Sequence, residues 1–147
     1  MEQVTIENLL NEIVLITGDI YNSIGPGYNE VVYHRAFEVA LRLKGFDYQS
    51  EVVTPIVYHN HVIGHGRVDI IVKNTLILEL KAIANLNNME SVIQIKNYMK
   101  QHNILHGAII NFGQCNTRNV NGRINIKYVT PTQVFNFENG SFTPEQI

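Results

Sequence analysis

A single cysteine, Cys115, stands in the 147 residues. That excludes an intramolecular disulfide and a cysteine-rich zinc site, and it suits a reducing compartment. Long apolar runs are missing as well: no stretch approaches the ~20 residues that a helix needs to cross a bilayer. The segment from Met1 to Glu7 carries acidic side chains where a secretory leader would carry basic ones. A soluble, intracellular, cytoplasmic protein with no membrane association is therefore expected. Charge is scarce, at 16% of residues, and sums to −2. Without a global basic field, a nucleic-acid partner would need a local basic surface and the help of a bound cation. Repeats, blocks of like charge and a glycine-rich phosphate loop are also absent; Gly25-Pro26-Gly27 lacks the Lys-Ser/Thr of such a loop.

What the chain does have is apolar material, 45% of residues, enough for the core of one compact domain. Ile6, Leu9, Leu10, Ile13, Val14, Ile16 and Ile20 follow a helical period from Ile6 to Ser23, with Thr5 as the cap. Ile24-Gly25-Pro26-Gly27 breaks that helix. A second runs from about Asn29 through Phe37 and Leu41 to Gly45, a C-terminal glycine. The period then changes to two. Gln49 to Tyr58 and Val62 to Asp69 read as strands joined by a turn at His59-Asn60-His61, and two further strands meet at Lys73-Asn74. Met89 to Gln101 is an amphipathic crossover helix, Gly107 to Phe112 a strand added in the middle of the sheet, and Ile124 to Val129 one more strand. The class is α/β, a mostly antiparallel meander plus a later strand, with flanking helices. After Pro131 the sequence carries little signal and reads as a tail, 131–147.

Charges interrupt two of the apolar strands. Asp69 lies within Val68-Asp69-Ile70-Ile71-Val72, and Glu79 and Lys81 lie within Thr75 to Ala82. Alternation puts Glu79 and Lys81 on one face, and a hairpin brings Asp69 within their reach. Isolated charge in such a sheet is costly unless it is paired or holds a metal. Asp69, Glu79 and the Leu80 backbone carbonyl form an oxygen set suited to Mg²⁺, and Lys81 can orient or deprotonate water. An Asp-Lys or Glu-Lys ion pair, or an edge strand whose charges face water, would give the same pattern. Gln94 and Tyr98, at i and i+4, share a helix face from which an amide and a phenol can reach a phosphate. Glu30 shares a face with Tyr33 and His34, where it can serve a cation or simply favour the first helical turn.

Taken in order, Gly27-Tyr28-Asn29-Glu30-Val31-Val32-Tyr33, Gly66-Arg67-Val68-Asp69, Glu79-Leu80-Lys81-Ala82, Gln94 to Tyr98 and Ile110-Asn111-Phe112-Gly113 resemble the GxxExxY proteins over roughly residues 20–130. That family is similar to a branch of the PD-(D/E)XK nucleases with a RecB-like Gln-x-x-x-Tyr helix. The resemblance implies a restriction-endonuclease-like fold with a central mixed sheet, in a single nuclease-like domain. It further implies Mg²⁺ or Mn²⁺ on Asp69 and Glu79, Lys81 as the catalytic lysine, Glu30 contributing from the preceding helix, and Gln94 and Tyr98 supporting substrate and metal. Val68 stands where the superfamily name has proline, a change that leaves the chemistry untouched.

The expected activity is metal-dependent hydrolysis of DNA phosphodiesters with little sequence preference. The alternative is a catalytically silent module of the same build that binds nucleic acid or a protein partner. A homodimer would place two sites on two strands. His59-Asn60-His61 spells the letters of another nuclease motif, but its residues are consecutive in a turn. His34, His61 and His65 can assist a metal, although no zinc-site spacing is present. Arg35, Arg42, Lys44, Lys96, Lys100, Arg118, Arg123 and Lys127 are scattered; Lys96 and Lys100, at i and i+4, can grip a backbone beside the site.

Overall fold

The computed structural model describes residues 5–84, 89–113 and 124–145; Cys115, Arg118 and Arg123 lie outside the described residues. Thr5 caps helix α1 (Ile6–Ile24) by accepting the Asn8 amide on Oγ1. Gly25 and Gly27, at φ 75° and 103°, end it with backbone that a side chain would strain. Helix α2 (Glu30–Leu43) follows. It closes with paired bonds from Gly45 N to Arg42 O and from Phe46 N to Leu41 O, with Gly45 left-handed as its place in the sequence predicts.

Seven strands make one sheet in chain order: β1 (Tyr48–Tyr58), β2 (His61–Val72), β3 (Leu76–Lys81), β4 (His106–Asn111), β5 (Asn125–Val129), β6 (Val134–Glu138) and β7 (Ser141–Pro144). All neighbours are antiparallel except β3 and β4, which are parallel because helix α3 (Glu90–His102) carries the chain across between them. β4 thus enters the middle of the sheet, as expected. The segment after Pro131 is no featureless tail. Its hairpin turns at Asn139-Gly140, both at positive φ, a two-residue turn signal between Phe137 and Phe142.

Alternation along β3 divides the core into two layers. Leu76, Leu78 and Leu80 pack with α1 and α2 on one face. Ile77 packs with Ile95 and Met99 of α3 on the other, the face to which Glu79 and Lys81 also belong. Each fully buried leucine contributes about 2 kcal/mol, so the strand's register is firmly set and its two charges are carried with it. β2 bonds β3 only from Ile70 to Val72, whereas it bonds β1 nearly throughout. β1 and β2 therefore extend past the sheet as a two-stranded ribbon. Val52 and Val68 at its base join the α3 layer, and Thr54 Oγ1 meets His102 Nε2 at 2.7 Å. No helix among the described residues is long and apolar enough to cross a membrane.

Candidate active site

The β2–β3 ladder runs no further than Ile70 and Leu78, and beyond that point side chains take over from backbone. Asp69 Oδ2 accepts the Leu80 amide at 2.7 Å, and Glu79 Oε1 accepts the Asp69 amide at 3.4 Å. Each carboxylate satisfies a strand N–H that the ended ladder would orphan. The cost falls on Glu79, only 3% exposed. Burial, and secondarily the Asp69 charge, push its carboxyl up to about 9, with Lys81 pulling back. Two oxygen donors crowd at one point, and the deeper of them disfavours its own charge.

Lys81 turns to the same face and donates to Gln94 Oε1 at 3.5 Å; Gln94 Nε2 in turn reaches Tyr98 Oη at 3.4 Å. Neither Asp69 nor Glu79 stands within ion-pair distance of Lys81 among the described residues. The ion-pair alternative is thus not what organises these charges. Tyr98 Oη also accepts the Arg67 amide at 3.2 Å. Its ring lies so close to Gly66 that a Cβ there would sit 2.7 Å from Cε1. Gly66 is needed for this approach.

The structure does not bring Glu30 into this group. It is the exposed first residue of α2, on the other layer of the sheet. No three Asp, Glu, His or Cys side chains among the described residues stand together as a metal-holding group, so His34, His61 and His65 do not complete one either. Tyr33, from the same Gly27–Tyr33 segment, has a legible job. Its ring stacks on Phe112 with centroids 4.1 Å apart, and its Oη donates to Gly25 O at 2.8 Å. That fastens the turn before α2 to the end of β4. His34 Nε2 meets Ser50 Oγ at 2.8 Å and Glu38 Oε2 at 3.8 Å through the same nitrogen. Such sharing ties α2 to β1 and gives no proton relay to the serine.

The sequence model of the PD-(D/E)XK nuclease superfamily matches residues 7–124, a span that contains every residue of this cluster. The chain belongs to the PD-(D/E)XK nuclease superfamily. Its sheet and flanking helices are the restriction-endonuclease-like α/β fold expected. Among solved structures, that of SSO0001 superposes with a TM-score of 0.51 at 19% identity, covering 67% of this chain and 48% of that one. This chain spans about half that protein's length, and the likeness is one of fold. An alkaline exonuclease from Laribacter hongkongensis, LHK-Exo, is more distant, with a TM-score of 0.42 at 10% identity, covering 88% of this chain and 72% of that one. No curated protein matches the sequence.

Sequence reasoning gave no role to Asn111, which this PD-(D/E)XK chain uses as a latch. Only 1% exposed, it accepts the amides of Ile83 and Gly113 on Oδ1 at 2.9 and 3.0 Å and donates from Nδ2 to Ile83 O at 3.0 Å. Phe112 N adds a bond to Lys81 O at 2.9 Å. The end of β4 therefore clamps the backbone on which Lys81 sits. The available signal was an asparagine closing an otherwise apolar strand, since such a buried amide must find partners.

Proposed function

We propose that this protein is a metal-dependent nuclease that hydrolyses DNA phosphodiester bonds with little sequence preference, in the manner of the GxxExxY proteins and the RecB-like branch. The observation that carries this reading is the pairing of a buried Glu79 carboxyl with Asp69 where two strands part. The donor set fits Mg²⁺ or Mn²⁺. Mg²⁺ takes oxygen ligands and is commonly held by only one or two carboxylates together with substrate phosphate, and a bound cation would offset the burial and the Asp69 charge that raise the proton affinity of Glu79. Asp69, Glu79 and the Leu80 carbonyl would hold the ion. When bound, it supplies charge neutralisation at the phosphoryl oxygens and acidifies water.

Lys81 Nζ, tethered by Gln94 Oε1, aligns the attacking water through its donor hydrogens. Gln94 can hand its amide to a phosphoryl oxygen, while Tyr98 fixes the helix against Arg67 N. The test is incubation with linear and circular, single- and double-stranded DNA and RNA in Mn²⁺, with Glu79→Ala and Lys81→Ala as controls. Cleavage by the wild type and its loss in both variants is expected; unchanged cleavage in both would sink the assignment. Light scattering tests the homodimer.

One observation favours the silent module as a second reading: Asp69 and Glu79 both serve the backbone and have a structural reason to be present without chemistry. Calorimetry separates the two, because a silent module takes up neither Mg²⁺ nor Mn²⁺, with or without DNA.

A further inference from the structure

A groove of about 1120 Å³ opens beside the site between the β1–β2 ribbon and α3, larger than the roughly 300–1,000 Å³ of a small-molecule pocket. Gly66 and Tyr98 line it, and Gln94 belongs both to it and to the Lys81 tether. Arg67 and Lys100 bring two cations to its lining against the single carboxylate of Glu90. Among the described residues the Arg67 guanidinium pairs with Glu51, exposed, at 3.6 Å. Ile56 on the ribbon and Ile93 on the helix also line the groove, 43% and 55% exposed.

We infer that this groove binds an unpaired polynucleotide strand and leads it to Asp69, Glu79 and Lys81, resting on the nuclease reading for what the bound strand then undergoes. The groove joins two cations, one of them paired with Glu51, which suit a phosphate backbone, to exposed apolar side chains from both flanking elements, which suit flat base faces. Single-strand sites pair a positive groove with side chains against which base faces stack, most often aromatic ones; Ile56 and Ile93 offer aliphatic faces in their place. A duplex keeps its base faces stacked inside and offers Ile56 and Ile93 nothing to cover. Gln94, Asn97 and Gln101, one stripe of α3, add amide donors and acceptors that tolerate any base.

Fluorescence anisotropy with a short labelled oligothymidylate and a blunt duplex of equal length, both with Ca²⁺ as the divalent ion, tests the inference. The single strand should bind about tenfold more tightly than the duplex. Arg67→Gln with Lys100→Gln should weaken it about tenfold and flatten the salt dependence by about 1.4, at ~0.7 for each lost phosphate contact. Glu90→Gln should tighten it, so a fold defect in the double variant cannot imitate the full pattern. Tighter duplex binding, or single-strand affinity unmoved in all three substitutions, overturns the groove. If wild type cleaves DNA while the groove variants cleave and bind unchanged, the groove fails and the nuclease stands. If groove-dependent binding occurs with no cleavage of any substrate, the nuclease reading fails and the groove stands.

Discussion

Tyr98 closes over Gly66 without room for a methyl group: a Cβ on residue 66 would lie 2.7 Å from the ring's Cε1 and 2.9 Å from its Oη. Gly66→Ala must displace Tyr98 and with it the bonds to Arg67 N and Gln94. Overpacking of this kind costs about 1–3 kcal/mol. A double-mutant cycle checks the cause, since the penalty should vanish in a Tyr98→Ala background.

Lys81→Met should separate chemistry from folding. Among the described residues the Lys81 side chain bonds only the exposed Gln94 amide, at a long 3.5 Å, so stability should change by less than about 1 kcal/mol. DNA cleavage should fall by about a hundredfold or more, as loss of a group acting on the attacking water does. A large drop in unfolding free energy would revive the structural ion pair.

Glu79 makes the metal-free fold sensitive to pH in one direction. Unfolded, the carboxyl releases its proton near 4.5; folded, it holds it until about 9. Between those values the native state binds the extra proton, so stability is greatest below the lower value and falls as pH rises through the window, by at most about 1.4 kcal/mol per pH unit. Melting curves in chelator across this range should slope downward. Glu79→Gln should flatten them, raise the metal-free melting temperature at about pH 8 by about 5 °C, and abolish stabilisation by Mg²⁺.

Asn111→Ala should cost about 2 kcal/mol by stranding the Ile83 and Gly113 amides. Asn111→Asp keeps the acceptor and should be milder towards those amides, although it sets a carboxylate against Ile83 O. Turnover should fall in both variants with little change in substrate affinity, because the residue steadies the strand that carries Lys81 and lies away from the groove. Steady-state kinetics with denaturant titration decides this.

Local chemistry made much of this legible. Thr5, Gly25, Gly45 and the Lys73-Asn74 turn, whose residues sit at φ 53° and 52°, act on immediate neighbours, so spacing alone locates them. Asp69, Glu79 and Lys81 were legible because charge in an apolar strand demands a reason. Glu30 was less so: its helical face is set by sequence, but its distance from Asp69 depends on which side of the sheet α2 covers. The groove was hidden for the same reason, since the length of the ribbon and its approach to α3 are long-range matters. The β6–β7 hairpin was missed although Asn139-Gly140 announces it.

Where the β2–β3 ladder ends, the two acids do a mason's work, whatever chemistry they also carry. A descendant that lost its activity would still be held to Asp69 and Glu79 by the amides they serve, whereas nothing in the backbone would hold it to Lys81. On the nuclease reading, position 81 is therefore where an active chain and an inactive one of this build should differ.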